Sequence, residues 1–118
     1  DDCRAFYLKN VGEIDDPVKR AAVWINLNES VIRGRLDPQS LVSVQIENLA
    51  VEREPLIISY LLRSIERLYW VYLNEDQRLV YSPKLEGVLL NNLINADASV
   101  KISYLNTLKR YLTNLLPF

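Results

Sequence analysis

Histidine, the side chain most often used in acid–base catalysis, is absent from all 118 positions of this chain. A Ser-His-Asp triad, a Cys-His dyad and a histidine-ligated zinc site are therefore impossible within it. Three acidic pairs could in principle do acid–base work: Asp15 with Asp16, Glu52 with Glu54, and Glu75 with Asp76. All three fall at predicted helix ends or linkers, where acidic side chains serve capping and solubility. The sequence predicts no catalytic residue, no metal ligand and no cofactor bound by this chain.

A cluster of aromatic and cationic residues is the candidate binding surface. It lies on one predicted helix and consists of Tyr60, Arg63, Arg67, Tyr69, Trp70 and Tyr72. Such a wall suits the carboxylate of a peptide or the surface of a partner protein. The alternative, which we favour for the rings, is packing between helices with the hydroxyls at the rim. Tyr60, Arg63 and Arg67 are kept as candidate peptide or partner contacts.

Charge and hydropathy exclude several other classes of protein. The net charge is −1, no block of like charges is present, and 49% of residues are hydrophobic without an apolar run of membrane-spanning length. We expect a soluble chain with neither nucleic acid nor membrane as a partner. Cys3 is the single cysteine, and we interpret it as a structural or exposed thiol. The glycosylation triplet at Asn28 falls inside a predicted helix, and we interpret it as coincidence.

Proline marks the starts of the predicted helices that hold the candidate residues. Four prolines directly follow a polar residue, in the pairs Asp16-Pro17, Asp37-Pro38, Glu54-Pro55 and Ser82-Pro83. Proline suits the first turn of a helix, and Asp or Ser before it can accept hydrogen bonds from the first free amides. Each pair predicts a helix start, with Glu54 the poorest cap. Gly34 can end the first of these helices in a left-handed conformation.

These signals predict that residues 1–118 form a single all-α domain. Residues 4–11 are predicted to end a first helix, and the next three helices cover 17–33, 38 to the charged segment 52–54, and 55–73. Residues 74–77 form a polar linker, and a further helix runs from 83 through 93. The last helix begins at a cap, Asp97 or Ser99, and stops before Pro117. The spacing of Pro17, Pro38, Pro55 and Pro83 favours a repeat of about 40 residues, as in HEAT or armadillo pairs. Stacked antiparallel pairs in a right-handed α-α superhelix are the preferred architecture, and an up-down bundle is the alternative.

Three stretches carry a family resemblance. They are DPVKRAAVW at residues 16–24, GRLDPQSL at 34–41 and EPLIISYLL at 54–62. Together they resemble the C-terminal helical domain of the aminopeptidase N family of zinc metallopeptidases, and the resemblance extends over about residues 5 to 93. The shared features are helix caps and packing positions, and the family's HExxH motif is absent. No binding residue of the family can be assigned to a position here.

The resemblance implies that this chain is a fragment of a larger enzyme. In that family the HEAT-like array closes off the cavity in which peptides bind, while the zinc lies in the catalytic domain. The implied partners are the catalytic domain of the same polypeptide and, indirectly, the peptide substrate. The second hypothesis is an independent HEAT-like scaffold that binds a partner protein along its concave face.

Overall fold

The computed structural model describes residues 2–115, with side chains from residue 4 onward. Cys3 and Pro117, on which two predictions rest, lie outside the described side chains. Within residues 2–115 the elements are α1 Asp2–Asn10, a 3-10 turn Val11–Glu13, α2 Pro17–Ile32, α3 Pro38–Asn48, α4 Pro55–Arg67, a π-helical turn Leu68–Tyr72, α5 Glu75–Asn95 and α6 Ala98–Leu115. This part of the chain has no strand, and the prediction of an all-α protein is confirmed.

Three of the four predicted proline starts begin helices. The Asp16 carboxylate accepts from the backbone N–H of Val18 at 2.9 Å, and that of Asp37 accepts from Gln39 at 3.0 Å. Glu54 makes no side-chain capping hydrogen bond. Short acidic side chains before proline therefore cap α2 and α3, whereas α4 starts on proline geometry and tertiary packing.

Gly34 ends α2 as predicted. Its φ is +72°, and the N–H groups of Gly34 and Arg35 donate to the carbonyls of Val31 and Ser30 at 3.0 and 2.8 Å. This is the Schellman pattern, in which a left-handed residue lets two N–H groups bond back to the last turn.

The predicted start at Ser82-Pro83 is wrong, because α5 begins eight residues earlier at Glu75 and contains Pro83 in its interior. Asn74 and Gln77 form a reciprocal capping box, with both hydrogen bonds at 2.9 Å. The proposed linker 74–77 is thus the cap and first turn of α5. Pro83 offers no N–H to the carbonyl of Leu79, which instead accepts from the Ser82 hydroxyl at 3.4 Å.

α4 lies at the centre of the fold and packs against α2, α3 and α6, while α6 also packs along α5. One buried core extends from Val11 and Trp24 to Tyr104 and Tyr111. The principal extents are 41 × 33 × 18 Å, and the shortest is about the thickness of two helix layers. The superhelical arrangement of HEAT pairs remains a prediction within this coarser all-helical architecture.

A candidate binding cleft

A cleft of about 160 Å³ lies between the second half of α2 and the second half of α4. We call it the arginine cleft; its lining residues are Asn28, Val31, Ile32, Arg63, Ser64, Arg67, Leu68 and Tyr72. Two of the three sequence-predicted contacts, Arg63 and Arg67, therefore line one cavity. Tyr60 lies beside it and does not line it.

Arg63 and Arg67 are exposed and one helical turn apart. Among the described residues, no carboxylate lies within 4.0 Å of either guanidinium group, whereas Arg20, Arg33 and Arg110 each form an ion pair. Like charges at i and i+4 repel by a few tenths of a kcal/mol. The arginine pair thus presents ten N–H donors toward solvent and the cleft without a protein acceptor.

A polar network adjoins the cleft through Asn28 and Ser64. The Asn28 amide donates to the Tyr60 hydroxyl at 2.8 Å, and the Ser64 hydroxyl lies 3.0 Å from the side-chain oxygens of both Asn28 and Gln45. Burial raises the pKa of Tyr60, opposed by the hydrogen bond from Asn28 and the nearby charge of Arg63. Tyr60 is therefore a neutral phenol whose hydroxyl joins α4 to α2.

The π-helical turn supplies the remaining wall. The N–H of Leu73 donates to the carbonyl of Leu68 at 3.1 Å, five residues back, so this turn is wider than the α-helix before it. Both Leu68 and Tyr72 belong to this turn and line the cleft. Single π turns are rare and are frequent at functional sites.

Tyr69 and Trp70 belong to the core of the fold and not to this cleft. Their rings meet edge to face at 4.9 Å, and both lie about 6 Å from the ring of Tyr111 on α6. The Arg78 guanidinium lies 5.2 Å from the centroid of the Trp70 ring. These two rings therefore pack between helices, as the alternative interpretation predicts. The predicted cluster is split: Tyr69 and Trp70 contact α6, while Arg63, Arg67 and Tyr72 line the arginine cleft.

Sequence reasoning missed Asn28 and Gln45. The only sequence signal at Asn28 is the glycosylation triplet, which we interpret as coincidence, yet its side-chain amide is engaged with Tyr60 and Ser64. Gln45 is fully buried, and its Nε2 has no hydrogen-bond partner. A polar residue on the apolar side of a predicted helix was the available signal, but its partners are 19 and more residues away in sequence.

A second, larger depression of about 310 Å³ lies between the α3–α4 connection and the junction of α5 with α6. Asn92 spans it by donating to the carbonyl of Leu49 and to the hydroxyl of Tyr104, both at 2.9 Å. Its lining includes one basic residue, Arg53, and two acidic residues, Glu52 and Asp97. With one positive and two negative side chains, the formal charge of the lining is −1, so this depression does not favour an anion.

Among the side chains of residues 4–115, no group of three or more His, Cys, Asp or Glu is placed to hold a metal ion. No helix in this part of the chain combines the length and apolar character needed to cross a membrane. In comparisons with known proteins, no family model, no curated protein and no solved structure matches this chain.

Proposed function

We propose that this chain is a noncatalytic helical domain that packs against a further part of the same polypeptide. On the resemblance described above, that polypeptide is a zinc aminopeptidase, and the helices enclose its active-site cavity and limit the access of peptides. The observation that supports a covering role is the apolar outer surface of the last two helices.

The outer face of α5 is apolar over most of its length. Leu79, Val80, Leu90 and Ile94 are between 50% and 73% exposed. Pro83 and Gly87, which are also exposed, lie between them on successive turns of this face. Single exposed apolar residues are ordinary, but a row along one helix face is typical of a surface that another element covers.

α6 continues this pattern. Ile102, Leu105 and Leu112 are between 43% and 67% exposed and lie on one side of the helix. Its other flank carries Ser103 and Arg110, which approach Ser59 and Glu66 of α4. The exposed row therefore faces away from α4.

The charges beside this row indicate what would cover it. Lys101 and Lys109 are exposed on α6, and the helix has no acidic residue from Ala98 to Leu115. A complementary surface is expected to be apolar with carboxylates opposite these lysines.

The coding sequence upstream of this chain tests the aminopeptidase assignment. An HExxH segment followed by a further glutamate is expected in the same reading frame. An open reading frame without this motif would contradict the assignment.

A direct assay tests the noncatalytic claim. The 118-residue chain, incubated with zinc and aminoacyl substrates, is expected to give no hydrolysis above a buffer control. Robust turnover would overturn the proposal.

An independent scaffold is the second candidate function, and the open arginine cleft favours it. A scaffold needs a recognition surface of its own, and Arg63 and Arg67 supply one without an acidic partner among the described residues. A gene that encodes this chain with no peptidase domain would leave the scaffold as the surviving candidate.

A further inference from the structure

We infer that the arginine cleft binds an aliphatic carboxylate, with the acid held by Arg63 and Arg67 and the hydrocarbon on the apolar floor between them and α2. This inference goes beyond the proposed function, because it concerns a ligand of the chain itself. It would hold for an enzyme domain and for a separate scaffold.

The cationic side of the site follows from the two free guanidinium groups. Arginine side chains at i and i+4 lie about 6 Å apart at their Cβ atoms, so both can reach one small anion. A planar carboxylate accepts paired N–H groups from a guanidinium, and these charge-assisted hydrogen bonds are about twice as strong as neutral ones. Binding an anion also removes the repulsion between the two arginines.

The apolar side of the site follows from its floor. Val31 and Ile32 of α2 and Leu68 of the π-helical turn line the same cleft. Its volume of about 160 Å³ is comparable with the roughly 150 Å³ of a cavity that accommodates benzene. A branched hydrocarbon group of four or five carbons therefore fits beside the carboxylate. A bare inorganic anion would leave the apolar lining residues exposed to water.

The end of α2 does not oppose an anion strongly. A helix C-terminus carries partial negative charge on its free carbonyls. Here the carbonyls of Ser30 and Val31 already accept from Arg35 and Gly34. The nearest acidic side chain on this helix, Glu29, is paired with Arg33 at 3.4 Å.

One polar side chain of the cleft suits a ligand with an amide next to its carboxylate. Tyr72 lines the cleft and its hydroxyl has no hydrogen-bond partner among the described residues, whereas the Asn28 amide is already engaged with Trp24, Tyr60 and Ser64. The C-terminal residue of a peptide carries an aliphatic group, a carboxylate and an amide together. A free branched-chain acid carries the first two only, so both sources share the chemistry of this site.

A titration of the ¹⁵N-labelled 118-residue chain followed by NMR tests the inference. The probes are N-acetyl-leucine, 4-methylpentanoate and N-acetyl-leucinamide. Both acids are expected to bind with dissociation constants in the millimolar range, as befits ligands of about ten heavy atoms. Their shift changes are expected at residues 28–32 and 63–72, and the neutral amide is expected to bind at least about tenfold more weakly.

The two acids distinguish the source of the ligand. Tighter binding of N-acetyl-leucine supports a peptide C-terminus, and tighter binding of 4-methylpentanoate supports a free branched-chain acid. Equal binding of N-acetyl-leucine and its amide would overturn the inference, as would shift changes confined to the depression around Arg53.

Variants separate the two halves of the site. Arg63→Gln and Arg67→Gln are each expected to weaken acid binding about tenfold or more, while Arg53→Gln is the matched control with unchanged affinity. All three arginines are exposed, so the variants are expected to fold. Ile32→Ser is expected to weaken binding of 4-methylpentanoate several-fold without changing the weak binding of acetate. Wild-type affinity in both Arg63→Gln and Arg67→Gln would overturn the inference.

Discussion

Arg20 and Glu52 form the most enclosed ion pair of the described residues, with side chains 13% and 4% exposed. Nε and an NH2 group of Arg20 donate to the two carboxylate oxygens at 2.8 and 2.7 Å. Arg20 also donates to the carbonyl of Ile14 at 2.7 Å, and Glu52 accepts from the N–H groups of Arg53 and Glu54. The pair therefore fixes the connection before α4 against the first turn of α2.

Glu52→Gln is expected to lower the free energy of unfolding by about 2 kcal/mol at pH 7, since Arg20 loses its buried partner. Burial alone would raise the pKa of Glu52, but the hydrogen bonds from Arg20 and the backbone outweigh it and lower the pKa from its ordinary value. A lowered folded-state pKa stabilises the protein above the unfolded-state pKa, and this contribution is lost as pH falls through the folded value.

Urea titrations at pH 7 and pH 3 measure this effect. The wild-type chain is expected to lose more stability than Glu52→Gln between these two values. Glu29→Gln is the control, because its exposed pair with Arg33 contributes under about 0.5 kcal/mol. Equal acid sensitivity of the wild type and Glu52→Gln would contradict the prediction.

Ser64 connects Asn28 and Gln45 inside the helical core. Ser64→Ala is expected to lower stability by about 1–2 kcal/mol, because the single hydroxyl hydrogen shared between the Asn28 and Gln45 oxygens is lost and the buried Gln45 side chain is left without its hydrogen-bond partner. The double variant Gln45→Leu with Ser64→Ala is expected to recover part of this loss, since it also removes the unpartnered Nε2 group of Gln45.

Chemical denaturation of both variants, with Ser59→Ala as the control, makes the comparison. Ser59 meets Ser103 at 3.4 Å near the surface, so its loss is expected to cost under about 0.5 kcal/mol. A double variant less stable than Ser64→Ala would refute this account of the network.

At the scale of the elements, α5 combines a strong start with an internal defect. Its capping box at Asn74 satisfies the first amides, while Pro83 interrupts the hydrogen-bond ladder on the solvent side. The helix continues through Pro83 because its inner face, including Leu85 and Leu89, is buried against the core. Tertiary packing thus compensates for a residue that would end an isolated helix.

Asn74→Ala is expected to destabilise the fold by about 1 kcal/mol through loss of the cap. Glu54→Ala is the matched control at the start of α4, where no side-chain cap exists, and is expected to have almost no effect. Thermal unfolding followed by circular dichroism compares the two. An equal loss in both would show that the capping box does not stabilise α5.

Pro83→Ala is expected to stabilise the protein by about 2 kcal/mol, because it restores an N–H donor to the Leu79 carbonyl and relieves the ring's steric cost. The position is exposed, so no core contact is lost. The same unfolding measurement applies, and a decrease in stability would mean that the proline is needed where it stands.

At the scale of the whole molecule, the six α-helices within residues 2–115 share one core and leave the last two with an uncovered apolar side. The radius of gyration of 13.9 Å is close to the roughly 13.5 Å of a compact domain of this length. The exposed rows on α5 and α6 are therefore a feature of a well-packed molecule and not of a loosened one.

The isolated chain is expected to bind a hydrophobic dye and to self-associate at high concentration through these rows. Leu90→Lys with Ile94→Lys is expected to reduce both dye fluorescence and association in sedimentation. Val18→Lys with Ile25→Lys, which changes exposed apolar residues of α2, is the matched control. A larger reduction of dye binding and self-association by the α2 pair would contradict the prediction that α5 and α6 carry the associating surface.

Local sequence patterns correctly predict the all-helical class, the helix starts at Pro17, Pro38 and Pro55, and the turn at Gly34. The starts at Pro17 and Pro38 and the turn at Gly34 depend on hydrogen bonds between residues at most a few positions apart, so a short window contains both partners. The start at Pro55 has no side-chain cap and follows from the fixed φ of proline. The same local reading failed at Pro83, where burial of the opposite face decided that the helix continues.

Which side chains share a site depends on how the helices pack, and local sequence patterns do not predict it. Arg63 and Arg67 were identified from sequence, but Asn28 and Ile32 joined them from a helix more than 30 residues away. The aromatic cluster divided because Tyr69 and Trp70 pack toward Tyr111, a contact that no local pattern encodes. Helix ends follow from short-range chemistry, whereas clefts follow from how helix faces meet, which depends on the burial of the whole chain.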